Sequence, residues 1–211
     1  TSFGSMLQAY ALKRTLEKIG YKSYILIDRV LTTPEMKCRI PRSLNLKMVA
    51  QGFLNHRHLK DVSEQYQKSN QFLRDNIDII YYNSYQEMAL NYLKTDYYLV
   101  GSDQVFNPDN LCPGLFFDFV EDRSKVVSYA GSMGTTQVKP EREEILIKRI
   151  SGFTDISVRE ADNIPVLKKY NPTANYRVHI DPTFFLSASQ WREKAKEYPI
   201  NGKFILLYPL Y

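Results

Sequence analysis

Asp103 and Arg159, each set among small polar residues, are the side chains whose type and spacing fit group-transfer chemistry. Gly101-Ser102-Asp103-Gln104 breaks off the apolar run 97–100, and Asn107-Pro108 closes the segment. It offers a hydroxyl, a carboxylate and two amides, groups that orient the polar atoms of a ligand. Gly101 lets the backbone approach a ligand closely. Asp103 is a general base if a substrate hydroxyl comes within hydrogen-bonding reach. Equally, it caps its own turn by accepting from neighbouring N–H groups. Arg159, followed by Glu160, presents a planar fork suited to a carboxylate or phosphate. Its alternative is a structural ion pair with Glu160 or Asp155. Gly4 and Ser5 precede a helical pattern, so unpaired N–H groups and the helix dipole there attract an anion, although Ser5 is also an ordinary N-cap. Asp181-Pro182-Thr183 reads more readily as a loop-fixing segment than as a ligand contact.

Each of these motifs follows or precedes a regular element. Apolar spacing predicts a helix over 7–19, with Gly20 as its stop, and strands over 24–28, 97–101, 126–131, 155–158, 176–180 and 204–208. Ser84 with Glu87, and Ser187 with Gln190, are capping boxes that open helices. Pro140, followed by Glu141, Glu143 and Glu144, opens another. Strands alternating with helices predict an α/β fold with a largely parallel, Rossmann-like sheet covered by helices on both faces. The carboxyl ends of parallel strands share one edge, so the segments at 101–104, 157–160 and 181–183 converge on one crevice. Residues 29–83 break the rhythm and read as helices and loops inserted between sheet elements. His56 and His58 stand two apart there, on different faces of a helix, which argues against a metal site. Trp191, at helical spacing with Ala188 and Ala195, reads as packing.

With 211 residues, 44% of them hydrophobic and 24% charged, the chain is long enough for a substantial core. No run is long and apolar enough to span a membrane, and the N-terminus carries no signal pattern. Cys38 and Cys112 have no metal or disulfide spacing, which fits a reducing cytoplasm. The net charge of +5 comes from basic residues interleaved with acids, which argues against nucleic acid. Such a surface suits an anionic small substrate or an anionic lipid surface, and so allows peripheral membrane association.

Taken in order, Phe3-Gly4-Ser5-Met6-Leu7-Gln8-Ala9-Tyr10-Ala11-Leu12, Val100-Gly101-Ser102-Asp103-Gln104-Val105-Phe106-Asn107, Ser128-Tyr129-Ala130, Ser157-Val158-Arg159-Glu160 and Asp181-Pro182-Thr183 resemble the polysaccharide pyruvyl transferase family. The family usually has Trp at the position of Phe106. The resemblance implies a fold similar to the N-terminal half of a GT-B-type two-domain transferase. On that reading residues 1–203 form the Rossmann-like domain, with 29–83 inserted, and 204–211 begin a second domain. It also implies transfer of pyruvate from phosphoenolpyruvate to a sugar of a cell-surface polysaccharide or glycan, generally as a cyclic ketal, with no further cofactor. The expected site comprises Asp103 and Arg159 as catalytic residues, and Gly4, Ser5, Gln8, Gly101, Ser102, Gln104, Asn107 and Glu160 as substrate-binding ones. Nothing here matches the family's Ser-Phe-His-type segment, since His179 falls in a predicted strand. The expectation is therefore a chain without its catalytic histidine, inactive alone. Two other readings remain open: a nucleotide-sugar glycosyltransferase of similar fold, and a non-catalytic domain that binds sugar or anion.

Overall fold

A computed structural model describes residues 3–28, 67–68, 71–195 and 202–205. The readings of Cys38, His56 and His58 lie outside the described residues, as does most of the strand expected at 204–208. Phe204 and Ile205, which are described, are exposed and in no strand.

Short runs rich in β-branched and aromatic residues form the strands β1 (Ile25–Asp28), β2 (Ile79–Tyr82), β3 (Tyr98–Gly101), β4 (Val126–Tyr129), β5 (Asp155–Val158) and β6 (Asn175–Val178). They pair in parallel as β1 with β2, β3 with β4, and β5 with β6. The helices are α1 (Phe3–Lys18), α2 (Tyr85–Asn91), α3 (Pro140–Ile150), α4 (Asn163–Lys168) and α5 (Ala188–Lys194), with a further helical stretch at 71–76. The chain is thus a mixed α/β fold whose described strand pairs are all parallel.

Three local expectations change. Residues 79–82, within the stretch read as helices and loops, form β2, because Ile79 and Ile80 pair with Ile25 and Leu26 and share their hydrophobic setting. Helix α1 begins at Phe3, so Gly4 and Ser5 lie inside its first turn rather than before it. Ser5 does not cap the helix; its hydroxyl is given to Asp103 across the fold. The strand expected over 126–131 stops at Tyr129, because Ala130 takes a left-handed φ of 45°, and the chain rejoins the sheet only where Gly131 bridges Val158.

That interruption makes an unusual seam between β4 and β5. Ser128 Oγ accepts from Ser157 N at 2.7 Å and donates to Ser157 O at 3.3 Å, while Ser157 Oγ accepts from Ala130 N at 2.9 Å. Backbone pairing then resumes, with Gly131 N donating to Ser157 O and Arg159 N to Gly131 O, both at 3.0 Å. Two buried serine side chains therefore stand in for ladder bonds, and they join β3–β4 to β5–β6.

The main core lies around β3, β4 and β5. Phe106, Phe116 and Phe153 form an aromatic cluster there, with Leu146 and Ile150 of α3 packed into the same core. Phe106 is fully buried, so the residue at the family's Trp position is a packing residue. A second core joins Met6, Tyr10 and Ala11 of α1 to Leu73, Ile77 and Leu186. Trp191 packs against it and donates from Nε1 to Thr183 O at 3.0 Å, as packing rather than as a platform for sugar. Coverage on both sheet faces does not extend to β6, where Asn175, Arg177 and Val178 are exposed.

Candidate active site

The carboxyl ends of β3, β4 and β5, with the segment after β6, meet beside the first two turns of α1. β3 ends on Gly101, and the turn that follows is tied down through Asp103: its backbone carbonyl accepts from Val105 N and Ser132 N, at 2.6 Å and 2.9 Å. Its carboxylate is held at both oxygens, Oδ1 by Gln104 N at 2.8 Å and Oδ2 by the Ser5 hydroxyl. Turn capping is thus present in the structure.

Arg159 emerges one residue past β5 and is the hub of the site. Its Nε donates to Glu160 Oε1 at 2.8 Å, and its Nη1 to Asp181 Oδ2 at 3.1 Å and to Ser102 O at 3.4 Å. Nη2 donates to none of the described residues. Asp155, the other partner considered for Arg159, lies 3.8 Å from Arg177 instead. Burial works against the charge of Arg159, but hydrogen bonds and the charges of Glu160 and Asp181 outweigh it, and the pKa is raised.

Asp181 fixes its loop as expected, its Oδ1 accepting from Thr183 N at 2.9 Å and Thr183 Oγ1 at 2.7 Å. Its Oδ2 also takes the Gln8 amide and Arg159, which ties α1 to the end of β5. Burial favours the neutral acid, yet bonds from Thr183, Gln8 and Arg159 prevail and hold its pKa below the usual carboxylate range.

A cavity of about 530 Å³ opens at this edge, with Arg159, Glu160 and Gln104 on its wall. The rest of that wall comes from Ser132, from the loop Gly134-Thr135-Thr136-Gln137 and from Asp162 and Asn163, none of them among the expected site residues. Small and polar residues after a strand are the signal that points to the loop.

The structure brings Ser5, Gln8, Ser102, Asp103, Arg159 and Glu160 together. Ser102 is buried and its Oγ has no partner. Asn107 stands back from the cavity: its Nδ2 donates to Gln104 Oε1 at 3.1 Å, and its Oδ1 accepts from Asp109 N at 2.9 Å, so it positions Gln104. Gly4 is exposed on the first turn of α1. His179 lies just past β6, with Nδ1 2.6 Å from Ser157 Oγ and its ring stacked on Tyr129 at 5.3 Å. No described helix is long and apolar enough to cross a membrane.

Polar groups from three strand ends line one cavity around a guanidinium with unused donors, which suits the binding of an anionic substrate beside a hydroxylated one. No curated protein and no solved structure gives a significant match to the chain. The model of the family described as polysaccharide pyruvyl transferase matches residues 3–210, nearly the whole sequence, and the chain belongs to that family.

Proposed function

We propose that the protein transfers pyruvate from phosphoenolpyruvate to a sugar of a cell-surface polysaccharide or glycan and forms a ketal. The observation that carries this reading is Arg159: three of its N–H groups are anchored by described residues, while Nη2 is uncommitted and the side chain lines the cavity. A fixed guanidinium with both N–H groups of Nη2 free can still hold oxygens of the donor's carboxylate or phosphate by charge-assisted bonds.

The reaction protonates the methylene carbon of the enol phosphate. One sugar hydroxyl then adds to the adjacent carbon, losing its proton, and a second hydroxyl displaces phosphate to close the ring. Asp103 takes the proton of the attacking hydroxyl, which replaces Ser5 at Oδ2. Gln104 and Ser102 orient substrate oxygens, and Gln8 with Asp181 holds Arg159 in register. Proton delivery to carbon belongs to a group outside these residues, in a two-domain arrangement of GT-B type whose first half is this α/β unit. The donor is a cytoplasmic metabolite, and the site of action is the cytoplasm.

Calorimetric titration of phosphoenolpyruvate into the full-length protein tests the donor site. Arg159→Ala should weaken binding by about tenfold or more, as expected for loss of a charge-assisted pair. Asp103→Asn keeps an oxygen for Gln104 N but cannot accept the proton, so kcat should fall by about a hundredfold while donor affinity holds. Wild-type constants in both variants, or binding of nucleotide-sugars in place of phosphoenolpyruvate, would overturn the assignment.

A further inference from the structure

The wall formed by Ser132, residues 134–137 and residues 162–163 stands beside Arg159 on the same cavity and has its own chemistry. Ser132 Oγ accepts from Gly134 N at 3.0 Å, and Thr135 Oγ1 accepts from Gln137 N at 3.1 Å. These bonds stiffen the loop through the hydroxyl oxygens, and the two O–H groups donate to none of the described residues. The amides of Gln104 and Asn163 follow the same rule. Gln104 Oε1 is occupied by Asn107, and buried Asn163 gives its Oδ1 to Met133 N at 2.9 Å. Both therefore keep their NH2 groups as donors. Gly134 has a left-handed φ of 64°, and a Cβ there would lie 2.6 Å from the Gln104 amide carbon, so the loop and the β3 turn are fitted closely together.

The carboxylates show the reverse. Asp162 occupies the position before α4 but makes no capping bond, and its oxygens accept from none of the described residues. Glu160 Oε1 accepts from Arg159, while its Oε2 is buried without a partner among the described residues. Donors fixed by their own acceptors, set around uncommitted carboxylate oxygens, form the complement of adjacent sugar hydroxyls, each of which both donates and accepts. With Arg159 committed to the donor, the two carboxylates Glu160 and Asp162 left on this wall repel an acidic sugar.

We infer that this wall is the acceptor subsite, that it takes the diol face of a neutral sugar in preference to a uronic acid, and that Asp162 determines this specificity. The inference rests on the pyruvyl transfer reading above. Saturation-transfer NMR on the full-length protein, with p-nitrophenyl hexosides and p-nitrophenyl glucuronide as probes and saturating inorganic phosphate occupying Arg159 in place of the donor, tests it without turnover. Neutral hexosides should bind wild type about tenfold more tightly than the glucuronide. Asp162→Asn, at an exposed position, should weaken hexoside binding about tenfold and narrow the preference without weakening phosphoenolpyruvate binding. Equal hexoside affinity in the two proteins, a glucuronide bound as well as the hexosides, or no glycoside binding by wild type overturns the inference. Failure of phosphoenolpyruvate to bind in a parallel titration sinks the donor reading instead, and the glycoside data judge the subsite independently.

Discussion

Gly101 has a φ of 137°, and a Cβ added to it would lie 2.1 Å from the Tyr129 carbonyl oxygen. The sequence shows why a glycine belongs there, since a strand ends and the chain turns, but the neighbour that demands it is β4 rather than a ligand. Which backbone lies alongside depends on strand pairing, and that is settled by contacts remote in sequence. Gly101→Ala should therefore cost at least about 2 kcal/mol, from backbone strain and from displacement of the β3–β4 pair. Gly20 is the control: its φ is 96° with nothing near the Cβ position, so Gly20→Ala should cost only about 1 kcal/mol. Urea midpoints at unchanged m-values give the comparison. The placement of Arg159 and Asp103 at strand ends was legible by the same kind of local signal, a charged side chain just past an apolar strand. Asp181 was only half legible: its bond to Thr183 is local, but its bonds to Gln8 and Arg159 span the fold.

Among the elements, those written in local periodicity and capping are recovered best. β5 spans the expected residues, and at α5 Ser187 and Gln190 close a complete reciprocal box, with bonds of 3.3 Å and 2.9 Å. At α2, Ser84 caps Glu87 N as expected, but Glu87 reaches the N–H of Asn83 rather than that of Ser84. β2 escaped because its four residues follow a polar stretch and show no alternation that separates strand from buried helix. The β4–β5 seam was hidden for another reason: Ser128 and Ser157 read as small polar residues inside apolar strands, and only their pairing shows them bridging a gap in the ladder. Ser128→Ala leaves the buried Ser157 N–H without an acceptor. Its cost should be about 1–3 kcal/mol, at or above the roughly 1 kcal/mol expected for the exposed cap variant Ser187→Ala. Hydrogen exchange adds a local readout, because the Ser157 amide should lose protection more than the amides of β3 in the Ser128→Ala protein.

At the scale of the whole molecule, two apolar cores meet across a polar seam that is also the candidate site. The α1 core and the β-sheet core are linked there by Ser5 to Asp103, and by Gln8 and Arg159 to Asp181. Asp181 touches most of this seam, and its folded pKa is depressed by Thr183, Gln8 and Arg159 despite burial. A depressed carboxylate pKa means that the unfolded chain binds the proton more readily than the native one. The stabilisation is complete above the unfolded pKa, near 4, and is lost as pH falls through the lower native value. Wild type should accordingly show a Tm that declines steeply on acidification below about pH 4. Asp181→Asn carries no such proton linkage; it should have a lower Tm at neutral pH and a shallower acid limb, so that the two curves converge near about pH 2. Arg159→Ala separates this from general acid unfolding, because removing one of the groups that depress Asp181 should shift the wild-type acid limb toward higher pH. Melting curves of the three proteins between about pH 2 and pH 7 measure the effect. Parallel acid limbs in all three would show that the seam's charge network does not couple the two cores.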